Sequence, residues 1–191
     1  MKKTFLQKII IISLFIAITM IIDFVLSPYI KPLKLPLVII CIAGCSLGFP
    51  SVFIICCFYT FIHLTRSFYH WKSIMDILQL NYFQICFSVI LDYIFPDLII
   101  SLSGFCFDKQ KKFFSNTRLF SFFLLINCLR LLSFFLSSLL IYANKNNNLK
   151  ENIFIIAFIY NLLPFFLNLF VGGILFFYLK SKLKNIFGKK E

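Results

Sequence analysis

The chain has 191 residues and a net charge of +12, with 61% hydrophobic residues, 28 phenylalanines and only 14% charged residues. A soluble core of that size cannot hide so much apolar side chain, so composition specifies an all-α integral membrane protein, placed in the cell membrane, and excludes a separate soluble domain. The basic residues fall mostly in short segments between apolar runs, where they orient helices, which argues against nucleic acid as a partner.

The first apolar run, residues 9–26, follows Lys2, Lys3 and Lys8. It is longer than a signal-peptide core, lacks an Ala-x-Ala site and carries Asp23, so it is expected to be a retained helix. Pro28, Pro32 and Pro36 make the next segment a loop. Residues 37–47 and 51–64, separated by Gly48-Phe49-Pro50, read as a hairpin of one short and one longer helix, or as half-spans. A polar stretch, 65–81, follows. The fourth helix is expected at 82–107, the fifth at 119–143 after a basic loop, and the sixth at 153–179 after a polar one.

These six transmembrane helices form one membrane-embedded domain. With the amino terminus inside, the inner segments hold twelve basic residues: Lys2, Lys3, Lys8, Lys109, Lys111, Lys112, Arg118, Lys180, Lys182, Lys184, Lys189 and Lys190. The outer segments hold six: Lys31, Lys34, Arg66, Lys72, Lys145 and Lys150. That excess places both termini in the cytoplasm.

The seven cysteines lie in apolar runs without a Cys-x-x-Cys pair and read as small packing residues. His63 and His70 lack a partner at metal-ligand spacing, so no metal or other cofactor is expected. No phosphate-binding glycine loop exists, so any ATPase must be another chain.

Charges inside the membrane carry the signal, because each costs about 2.5–3.5 kcal/mol at a helix centre on insertion scales. Asp92 and Arg130 both fall near mid-helix. Either they pair and lock helix four to helix five, or Asp92 faces a ligand cavity open to the outer side. Tyr82 and Tyr93 are about three turns apart, with Asp92 beside them. Arg130, Phe134, Ser138 and Tyr142 follow one row of helix five; Asn161, Pro164, Asn168 and Gly172 follow one face of helix six. A carboxylate, an amide and flat rings at similar depth suit a flat, nitrogen-rich, cationic small molecule.

On these residues the chain resembles the substrate-binding S component of energy-coupling-factor vitamin transporters, most closely the thiamine-specific members. Tyr82, Asp92, Tyr93, Pro96 and Gly104 match the family's helix-four signature, although proline falls one place early and Asp stands where Glu is usual. Tyr142 matches an outer aromatic of helix five and Asn161 the helix-six asparagine, whereas Phe134 replaces a histidine. The resemblance implies a protein that is not an enzyme. It would bind thiamine through Tyr82, Asp92, Tyr93, Tyr142 and Asn161 and dock on a transmembrane coupling protein driven by two ABC ATPases. Ser13 and Ala17, small residues four apart on helix one, would form the docking face. The loop before helix two would serve as a lid. The alternatives are an S component for another vitamin such as riboflavin, favoured if Arg130 faces the cavity, an integral membrane enzyme of lipid or isoprenoid metabolism, and a structural helix bundle without a ligand. Against the enzyme stands the absence of a paired acidic motif, a Ser/His set or a Cys/His cluster.

Overall fold

In the computed structural model, residues 5–26, 33–78, 81–106, 116–142 and 150–187 are described. They form six helical stretches: α1 (Phe5–Leu26), α2 (Leu35–Leu47), α3 (Phe49–Leu78), α4 (Tyr82–Cys106), α5 (Asn116–Tyr142) and α6 (Lys150–Leu167, continuing through Asn168–Gly172 into Gly173–Phe187). Five are long and apolar enough to cross a membrane, with α2 the short exception. At 13 residues, α2 is only about 20 Å long, well under the ~30 Å hydrocarbon thickness.

Helix α2 is tolerated because protein surrounds it. Pro36 to Val38 and Ile40 to Gly44 are buried, and the core of Leu37, Ile40, Ile55, Ile100 and Ile126 gathers around it. Phe123 of α5 and Phe176 of α6 stack there, ring centroids 5.4 Å apart and 12° from parallel. The outer faces are the reverse of a soluble protein. Phe5, Phe24, Phe61, Phe154 and Ile174 are each more than half exposed, as side chains solvated by lipid should be.

A single glycine turns α2 into α3. Gly48 has φ 83°, a conformation that side-chain-bearing residues rarely adopt, and its N–H donates to the Gly44 carbonyl at 2.9 Å. Helix α3 then runs to Leu78, so most of the polar stretch 65–81 is helical. No proline or glycine lies between Ser51 and Leu78, and a change in polarity does not end a helix. Arg66 therefore lies within a helix, not in an outer loop.

Helix α4 is continuous but irregular. Its backbone widens into a π turn at Ile90–Ile94 and tightens to a 3-10 ending at Ile100–Cys106. Proline accounts for the π turn. Pro96 supplies no N–H and its ring crowds the carbonyl four residues earlier, and the Phe95 N–H reaches back to the Ile90 carbonyl. The Leu91 carbonyl, with Pro96 five residues on, accepts instead from the Ser133 hydroxyl of α5.

Candidate functional site

Two polar constellations lie inside this apolar bundle. The first joins α1, α3 and α4. Tyr59, His63 and Arg66 occupy one face of α3 at spacings of four and three. Arg66 pairs with Asp23 of α1 at 3.1 Å, and the Tyr59 hydroxyl reaches the same carboxylate at 3.4 Å. His63 Nδ1 lies 2.8 Å from the Asp97 carboxylate of α4, which is 2% exposed. The Tyr93 ring meets the His63 ring edge-on at 5.0 Å.

The second constellation is a narrow, partly open cavity between α5 and α6, of about 20 Å³, lined by Asn127, Arg130, Phe134, Asn161, Pro164 and Asn168, with Leu131 and Phe165. Part of each row expected from the spacing of helices five and six meets here: Arg130 and Phe134 of one, and Asn161, Pro164 and Asn168 of the other. The asparagines are locked by one rule. Each donates its amide N–H to the carbonyl four residues earlier: Asn127 to Phe123 at 2.8 Å, Asn161 to Ala157 at 2.8 Å and Asn168 to Pro164 at 2.7 Å. Asn161 also donates to the Ser138 hydroxyl at 2.9 Å, tying α6 to α5. The Asn168 carbonyl oxygen accepts the Lys34 backbone N–H at 2.7 Å and so pins the entry of α2 to the cavity rim.

Arg130 is different. It is 6% exposed, and its Nη1 has no hydrogen-bond partner. The guanidinium rests 5.6 Å over the Phe134 ring, a contact that offsets only part of its desolvation. Lys34 stands near enough to feel it. Burial first, and then the Arg130 charge, holds the Lys34 ammonium below the usual lysine range, while Asp97 and Asp23 act in the opposite direction.

Of the residues expected to bind ligand, only Asn161 lines this cavity. Tyr82 and Tyr93 do not share a face: Tyr82 is 90% exposed at the start of α4, while Tyr93 packs on His63. The π turn between them shifts the register that a regular helix would keep. Asp92 does not pair with Arg130. Among the described residues the close acid–base contacts are His63–Asp97 and Arg66–Asp23, and the Asp92 carboxyl faces Ser137 in a contact short of a regular hydrogen bond. The clamp between helices four and five is instead the Ser133–Leu91 bond. Tyr142 ends α5, and its side chain lies outside the described residues, as do that of His70 and the 27–32 part of the expected lid. Ser13 and Ala17 both face outward from α1.

The α3 row and its two carboxylates were not anticipated from the sequence. The signal was present in the spacing of Tyr59, His63 and Arg66, but it crosses the boundary at which the apolar run ends. Among the described residues no group of three or more His, Cys, Asp and Glu side chains is placed to hold a metal ion. No family model, curated protein or solved structure matches this chain.

Proposed function

We propose that this protein is the membrane-embedded capture subunit of a vitamin importer of the energy-coupling-factor type, taking its ligand in the cavity between α5 and α6. The observation that carries the proposal is the polar lining of this cavity. A buried guanidinium whose Nη1 lacks a partner, three oriented amides and two phenylalanine rings make a site that a purely structural bundle would fill with apolar side chains. The six-helix layout supports it. The short α2 and the long α3 would form one hairpin that returns the chain to the side it left, so that, with α1, α4, α5 and α6 crossing, both termini lie in the cytoplasm.

Thiamine, implied by the resemblance, is the first ligand to test, and riboflavin the second, because Arg130 and not Asp92 lines the cavity. Saturable quenching of Tyr and Trp fluorescence in the detergent-purified protein is the expected result. Asn161→Ala should weaken binding at least tenfold, about 1.4 kcal/mol, through loss of an oriented amide. If neither vitamin binds, and mass spectrometry of the purified protein finds no copurifying small molecule, capture is excluded.

The docking face is tested separately. Replacing Ser13 and Ala17 together by Leu adds bulk to an outward surface of α1, where a coupling protein would approach closely. Ligand binding by the isolated protein should survive while ATP-dependent uptake by cells is lost. Unchanged uptake and unchanged copurification of the coupling protein would remove this face from the proposal.

A further inference from the structure

The Arg130 guanidinium is charged at every physiological pH, and a buried charge without a counter-charge is costly. The neighbouring carboxylates are already engaged. Asp97 of α4 holds His63 at 2.8 Å and Asp23 of α1 holds Arg66 at 3.1 Å. Asp92 faces Ser137, seven residues beyond Arg130 on α5 and so about 10 Å along the helix. From the start of α2 comes another cation, Lys34, and from α6 come only the amides of Asn161 and Asn168. Taking the α1–α4 pairs with this rim, Lys34, Arg66 and Arg130 stand against Asp23 and Asp97, so the positive charges outnumber the negative ones by one, or by two when His63 is protonated.

We propose that the α5–α6 cavity holds a small planar ligand through an anionic group, a carboxylate or phosphate, bound by the Arg130 guanidinium. This rests on the capture function proposed above and specifies the ligand class. The anion enters the fork of N–H donors on Arg130. The Phe134 and Phe165 rings pack on the flat part of the molecule. Asn127 and Asn161, whose amide N–H groups already donate within the bundle, turn carbonyl oxygens to donors on the ligand.

The test uses two matched pairs that differ only by a phosphate, riboflavin against riboflavin 5′-phosphate and thiamine against thiamine monophosphate. Binding is measured by calorimetry to the full chain in nanodiscs of phosphatidylcholine. The phosphorylated member of at least one pair should bind at least tenfold more tightly. That advantage should fall below threefold in Arg130→Gln and persist in Arg130→Lys. Equal affinity within both pairs overturns the anion proposal and leaves capture standing; no binding of any of the four overturns both. The wild-type comparison decides the matter even where Arg130→Gln does not fold. The same anionic chemistry is offered by lipid headgroups. If phosphatidylglycerol in the nanodisc abolishes the phosphate advantage in proportion to its mole fraction, the site belongs to lipid and the proposal fails.

Discussion

Gly104→Ala should destabilise the folded bundle by about 3 kcal/mol, at the upper end of overpacking costs, whereas Gly173→Ala should leave it unchanged or slightly more stable. Both changes add one methyl group to a glycine of an apolar helix. They differ in what that methyl meets. At Gly104, in the 3-10 end of α4, it collides with the Phe49 Cα and lies 2.5 Å from the Phe49 nitrogen. Those are backbone atoms, so no rotamer change relieves the clash and α3 must move away from α4. At Gly173 the nearest heavy atom is Phe123 Cε1 at 3.7 Å, an ordinary contact. The gain in helix propensity, about 1 kcal/mol, is then free to appear. Thermal unfolding of both variants in the same detergent decides the point. Equal melting temperatures would show that the α3–α4 contact is looser than described.

His63→Ala is the second large effect, and it should exceed Asp97→Asn. Removing the imidazole strands a carboxylate that is 2% exposed. Breaking a buried pair in this way costs about 3–5 kcal/mol, because the remaining charge has neither water nor a partner. Asp97→Asn instead leaves an amide oxygen that still accepts from a His63 N–H, at a cost of about 1 kcal/mol for the weaker hydrogen bond. The Tyr93 and Tyr59 rings beside His63 would also lose packing in the alanine variant. Yield of monodisperse protein and its unfolding temperature measure both. The reverse order would show that His63 is the charged member, dependent on Asp97 for its counter-charge.

The membrane class and the helical stretches were legible without coordinates, because hydropathy is a property of consecutive residues and lipid rewards any uninterrupted apolar run long enough to satisfy its own backbone. The rows Arg130–Phe134 and Asn161–Pro164–Asn168 were legible for a similar reason: between these residues the helices are regular, and periodicity alone puts them on one face. The tertiary structure decided the rest. Tyr82 and Tyr93 part company because Pro96 forces a π turn, and its effect on register depends on how α4 packs against Ser133. Asp23 finds Arg66 across 43 residues, and His63 finds Asp97 across 34; such partners are set by which helix faces meet, not by local spacing. Asp92 and Arg130, each near the middle of its own helix, looked like a pair by the same local logic. They are not one, because packing sets Asp92 beside Ser137, about 10 Å along α5 from Arg130, an offset that counting residues within each helix does not reveal.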